Sequence, residues 1–145
     1  MTAATRAWRP RIVKSLSVFY CVAGILHLTW PQPFLSITPT WVSHPETVIA
    51  LTGLCEIAGA IGLCTPRVSR LAAATLALYA CCVFPANIKH ALDGLGASDS
   101  SVWEWTYHII RLPLQPVFIW AALFAGDIVT WPFGSRLFDR ASKAR

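Results

Sequence analysis

Apolar and polar positions along this chain separate into long blocks. Apolar residues run roughly from Ile12 to Trp30, Thr47 to Cys64, Leu71 to Ile88 and Ile109 to Val129, and most charges collect between these blocks or at the chain ends. Each block is close to the ~20 residues that a helix, rising ~1.5 Å per residue, needs to cross a hydrocarbon core. The breakers agree: "WPQPF" (30–34) closes the first block, "TPR" (65–67) makes a tight turn after the second, and "DGLGASDSS" (93–101) is a polar loop before the fourth. No internal repeat or low-complexity segment interrupts this order. The pattern predicts an all-α protein, an integral membrane antiparallel four-helix bundle in which residues 1–145 form a single four-span domain.

Composition strengthens that reading. Of 145 residues, 55% are hydrophobic and 13% charged, with a positive mean hydropathy, which is wrong for a soluble domain of this size. The formal net charge of +5 raises the question of a nucleic-acid partner, and the placement of the cations answers it. Arg6, Arg9, Arg11 and Lys14 precede the first span, Arg67 and Arg70 join the second to the third, and Arg136, Arg140, Lys143 and Arg145 follow the fourth. The opposite loops, 31–45 and 91–108, hold no Lys or Arg and carry Asp93, Asp99 and Glu104. Cations bracketing apolar spans on one side follow the positive-inside rule, whereas a nucleic-acid binder needs a basic face with interleaved aromatics. The expected partner is a lipid bilayer and not nucleic acid, with both termini cytoplasmic. Trp30, Trp41, Trp103 and Trp105 mark the outer interface, Trp8 and Trp131 the inner one. Nothing after Leu28 resembles a small-residue cleavage site, so the first span is expected to stay in the mature protein.

Lipid tails provide no hydrophobic drive between helices, so small residues should mark their contact faces. Gly53, Gly59, Ala60 and the Ala58/Gly62 pair make the second span a central packing helix, and Ala72, Ala73, Ala74, Ala77 and Ala80 do the same for the third. In the middle of the second span stands a carboxylate, Glu56, within "TGLCEIAGAIG". At helical spacing it shares the small-residue face, ~15 Å below the outer surface, where a lone ionised carboxylate is costly and calls for protonation or a partner. Candidate partners lie in the outer half of the neighbours: Arg111 and Gln115 four apart on the fourth span, Asn87, Lys89 and His90 at the end of the third, and His27 near the end of the first. Pro85, Pro113 and Pro116 fall in the same region and would release the carbonyls of Cys81, Ile109 and Leu112, which membrane proteins tolerate only in a protein interior or a wet cavity. These features predict an outward-facing polar pocket with Glu56, Asn87, Arg111, Gln115, His27 and Lys89 as ligand-binding residues.

"GxxH" at Gly24 to His27, "TGLCEIAGAIGL" with its following "TPR", "VFPANIKHA" and "RLPLQPVFIW" occur in order across all four spans. In these motifs the chain resembles the DoxX-like family of small four-helix bacterial membrane proteins. That resemblance marks Glu56, Asn87, Arg111 and Gln115 as motif positions. It implies a binding or accessory subunit of a membrane oxidoreductase system, with oxidoreductase proteins as partners and a quinone among the ligands.

Other readings stand beside this one. Glu56 and Arg111 would also serve as a structural pair that sets helix register, and Arg111 and Lys89 would also snorkel to headgroups. A small transporter or proton-coupled permease would use Glu56, although no inverted repeat is evident. An enzyme in its own right lacks a flavin, haem or nucleotide motif, and its catalytic residues are unknown. The histidines have no metal-ligand spacing, so no metal is expected. "WEWTYH" (103–108) reads as a surface-lying anchor. Cys21, Cys55, Cys81 and Cys82 fall in one layer without a C-x-x-C, as expected of small buried hydrophobes rather than a redox set, and Cys64 should be a reduced thiol.

Overall fold

In a computed structural model that describes residues 3–96 and 101–132, the chain forms helices α1 (Ala3–Thr29), α2 (Gln32–Ser36), α3 (Pro45–Cys64), α4 (Ser69–Leu95) and α5 (Val102–Ala125), and among the described residues there is no strand. Four of these, over Thr5–Thr29, Pro45–Cys64, Ser69–Leu95 and Trp105–Ala125, are long and apolar enough to cross a membrane, the make-up of a multi-pass membrane protein. Local chemistry sets several ends. Pro45 is the first residue of α3, where its missing N–H costs nothing, and Glu46 in the first turn suits the helix dipole. Thr65, just before Pro66, is extended and stops α3. At the end of α5, Asp127 takes a left-handed backbone (φ 56), Ile128 N–H reaches back to Leu123 O (2.9 Å) and Asp127 N–H to Phe124 O (3.2 Å), the pattern of a Schellman stop.

The helices differ from the apolar blocks in a consistent way. α1 begins nine residues before Ile12, α4 continues past Ile88 to Leu95, and α5 starts at Val102 rather than Ile109. Hydropathy marks where a helix would leave lipid, while hydrogen bonding carries it on into the polar flank. "WEWTYH" is therefore the opening of α5 and not a separate surface-lying anchor. Val129 lies beyond α5, because the Schellman turn folds this last part of the apolar run back.

α1 packs on α3, α3 on α4, α4 on α5, and α5 returns to α1. Large aliphatic and aromatic residues such as Val18, Phe19, Leu51, Leu54, Leu78 and Ile109 point outward, while Ala73, Ala77, Ala80 and Ala122 are buried. This is the reverse of a soluble protein and suits lipid as the surrounding medium. Small residues set the approach of the helices. A Cβ on Gly24 would sit 2.5 Å from Gly53 O, and one on Gly53 2.8 Å from His27 Cβ, so α1 and α3 meet nearly backbone to backbone. On its other side α3 receives Leu76 against Gly59 and Ala72 against Gly62. Ala58 and Ala74, by contrast, are exposed, so the contact faces of α3 and α4 are narrower than the run of small residues.

The cysteines also depart from expectation. Cys55, Cys64, Cys81 and Cys82 are exposed on the outside of the bundle, Cys21 is half-buried, and none is in a disulfide. Cys55 is one position from the buried Glu56 and thus turned ~100° from the packed face.

Replacing Gly24 with Ala should lower stability by about 1–3 kcal/mol, because the added methyl meets backbone that cannot repack. Thermal unfolding in detergent would read this as a lower midpoint, with Ala58→Leu on the exposed face as the unaffected comparison; an unchanged Gly24→Ala midpoint would contradict the close α1–α3 approach.

Candidate functional site

The six candidate residues separate into two polar systems and one surface pair. Glu56, in the packed face of α3, and His27, less than a turn before the end of α1, are both buried, at 4% and 8% exposure. His27 Nδ1 lies 2.8 Å from its own helix's Ala23 carbonyl, which only accepts, so Nδ1 carries a proton. Glu56 Oε2 comes to 3.0 Å from the same nitrogen, close enough for ionic attraction, but no well-aligned hydrogen bond reaches this oxygen. From α4 Tyr79 faces the Glu56 carboxyl and Thr52, and Tyr20 of α1 also lies in the carboxyl's field. The turn after α1 returns α2 over this centre and stacks Phe34 on the His27 ring, centroids 3.8 Å apart.

The expected Glu56–Arg111 pair is not formed. Arg111 sits on α5, which docks on α4 and α1, whereas Glu56 lies in the face of α3 that meets α1 and α4. The basic neighbour of Glu56 is His27.

Arg111 belongs to the second system, a chain of hydrogen bonds that joins α4 to α5. Its guanidinium donates to Tyr107 Oη and to Asn87 Oδ1, both at 2.7 Å. Asn87 Nδ2 donates to Gln115 Oε1 (3.1 Å), and Gln115 Nε2 donates to the Ala80 carbonyl (2.6 Å). Asn87 and Gln115 are buried, and their amides are oriented by this head-to-tail order. The last acceptor, Ala80, is next to Cys81, whose carbonyl Pro85 relieves of its usual partner. Tyr79 and Ala80 are adjacent in α4, one serving each system, so both reach the same level of the bundle. Lys89 joins neither: it pairs with Asp93 one turn on, on the exposed side of α4.

The family model of a domain of unknown function, DUF8561, matches residues 16–125. The chain belongs to the DUF8561 family. No curated protein and no solved structure matches it. The DUF8561 segment contains every residue of both polar systems, whereas a third cluster straddles its limits. There Arg9 of α1 contacts Asp127 Oδ1 (2.7 Å) and Phe124 O (2.9 Å), and Arg70 of α4 donates to Asp127 O (3.0 Å), tying three helix ends together.

Tyr20, Phe34, Thr52, Tyr79 and Tyr107 are the members of these DUF8561 systems that sequence reasoning passed over. Helical spacing carried a signal for several: Thr52 is four before Glu56, Tyr107 four before Arg111 and Tyr20 seven before His27. Phe34 had none, since only the chain reversal after α1 brings it onto the imidazole.

Asn87→Leu should destabilise the protein by about 1–2 kcal/mol, because it strands the Gln115 carbonyl and removes one of the two Arg111 acceptors. A double-mutant cycle between Asn87 and Gln115, followed by equilibrium unfolding, should give a coupling of about 0.6 kcal/mol and at most ~1.7. Strict additivity would show that the chain of bonds is not a unit.

Proposed function

We propose that this protein is an inner-membrane, DoxX-like binding or accessory subunit of a membrane oxidoreductase system. In this reading it takes up a quinone, lipid or similar small hydrophobic molecule at the Glu56–His27 centre. The observation that carries the reading is the buried Glu56 carboxyl, whose Oε2 has the His27 ring within ionic reach but no well-aligned hydrogen bond. A buried acceptor left unmatched costs about 1–3 kcal/mol, and more when charged. A chain whose only need were to hold α3 in register would do better with an apolar residue there, because well-packed apolar side chains can replace a buried ion pair at little cost or with a gain in stability. A polar head entering beside Phe34 would complete the set, with Tyr79, Tyr20 and the His27 ring as its walls.

Glu56 beside His27 also favours a second reading, a proton-coupled permease, because two ionisable groups 3.0 Å apart are a natural proton-transfer pair. The two readings differ in what is retained. In native-lipid particles the wild-type chain should carry a hydrophobic molecule detectable by mass spectrometry. Glu56→Gln, similar in shape, should keep membrane abundance and melting midpoint yet bind it about tenfold less, equivalent to about 1.4 kcal/mol. Equal retention by both proteins would overturn the ligand reading. Proton uptake by vesicles containing wild type but not Glu56→Gln would support the permease instead.

The antiparallel arrangement and orientation are part of the proposal. Successive contacts that pair Ser17 with Cys64, Gly24 with Ile57 and His27 with Gly53 support opposite directions for α1 and α3. The cation asymmetry argues for cytoplasmic termini. Some of its members, Arg136, Arg140, Lys143 and Arg145, lie outside the described residues, as does Asp99. Reporter fusions at Val68 and Arg145 should be active in the cytoplasm and one at Ser98 outside it; the opposite pattern would reverse the orientation.

A further inference from the structure

Ten of the 12 Lys and Arg bracket the spans on one side, and the remaining two, Lys89 and Arg111, lie together at the other end of α4 and α5. Their surroundings differ. Lys89 is neutralised by Asp93. Arg111 is half-buried, and both of its hydrogen-bond partners, Tyr107 and Asn87, are neutral. Among the described residues no carboxylate pairs with it. A guanidinium carries five N–H donors, and these two bonds use two of them. Snorkelling would leave a mobile side chain with its charge in water. Here two 2.7 Å bonds and the Tyr107 ring beneath, 5.4 Å from the guanidinium carbon, hold the fork in one orientation with its charge unspent.

Two imidazoles stand beside it. His90 of α4 lies in the field of Arg111, Lys89, Asp93 and His108, and its ring meets that of His108 edge to face at 4.7 Å. His108, one turn before Arg111, is 3% exposed. The bare backbone of Gly94 admits its Nε2 edge, since a Cβ there would come within 2.7 Å, and on the other side of the ring Nδ1 is buried without a partner. A fixed uncompensated cation next to a buried, unsatisfied imidazole nitrogen is incomplete in the same sense at both groups. An oxyanion supplies the missing charge, and its protonated or hydrated oxygens supply partners for the nitrogen.

We propose that the α4–α5 end near Arg111, His90 and His108 is a binding site for a phosphate-class oxyanion. Arg111 reads the anion through its free N–H groups, Tyr107 and Asn87 are positioning residues that aim the guanidinium, and Gly94 makes room for His108. The source of the phosphate is a phospholipid headgroup of the adjoining leaflet or the free ion. Trp103 and Trp105, exposed in the first turns of α5, put the site at the level where headgroups lie.

The test uses the full chain in nanodiscs. In one arm the lipid is phosphatidylcholine alone, and inorganic phosphate is titrated at constant ionic strength while thermal unfolding is followed. In the other arm phosphatidylglycerol is mixed in, and native mass spectrometry counts the lipid retained. Wild type should respond in at least one arm, which identifies the source. Arg111→Gln should weaken that response about tenfold, as loss of a charge-assisted contact does. Tyr107→Phe keeps the cation and the chain from Asn87 to Ala80 but releases one of its two anchors. It should weaken binding about threefold, and it serves if Arg111→Gln does not accumulate. A wild type silent in both arms, or a response that neither variant alters, would overturn the site.

Discussion

The contact between Gly24 and Gly53 is the constraint on which the rest of the bundle depends. Two helices in lipid gain nothing from hiding apolar surface, so they hold together only where their backbones come close enough for dense packing. With Gly53 against Gly24, and Gly59 and Gly62 against Leu76 and Ala72, α3 becomes the helix around which α1 and α4 are arranged. The same face carries Glu56. The carboxyl is buried because the glycines around it bring the neighbours in, and His27 reaches it because α1 crosses at Gly53.

From that crossing the polar groups divide into two kinds. The Tyr107–Arg111–Asn87–Gln115–Ala80 series is continuous, each link pairing one donor with one acceptor. In a low-dielectric interior such a series rigidifies the helices it joins. The Glu56–His27 centre is open: it has charge attraction, neighbouring tyrosines and an unmatched oxygen. The continuous series holds α4 and α5 as one unit, and α4 then presents Tyr79 to the open centre from a fixed position. Rigidity on one side of α4 thus supports an unsatisfied group on the other.

The opposite end of the bundle has a different device. Asp127 is not glycine, yet it takes the left-handed position of the Schellman turn, where aspartate is among the few other residues tolerated. Its carboxylate meets Arg9 and its carbonyl Arg70, so the stop signal of α5 is also the point where α1 and α4 are tied in. Gly126 beside it lies tight against Ala73, which fixes how α5 leaves the bundle.

How much of this was legible in the chain depends on the range of the interaction. The four long helices, the central role of α3 and the inward position of Glu56, Asn87 and Gln115 follow from block hydropathy and a 3.6-residue period, which are properties of one segment at a time. So does the Arg111–Gln115 spacing. Which side chain meets which was beyond that information. Glu56 has His27 and not Arg111 beside it because α5 docks on α4 and α1, and the small-residue patterns of α3 and α4 do not encode that order. Counting residues put Cys21, Cys55, Cys81 and Cys82 in one layer, yet three of these four are exposed, since facing depends on which stripe a neighbour covers and not on position along a segment. Phe34 reached His27 through a chain reversal without periodicity. The number of long apolar segments and the inward position of Glu56, Asn87 and Gln115 were determined by sequence, because each arises from segment polarity and the helical repeat. The pairings were decided by tertiary structure, because each depends on the relative rotation and order of helices far apart in the chain.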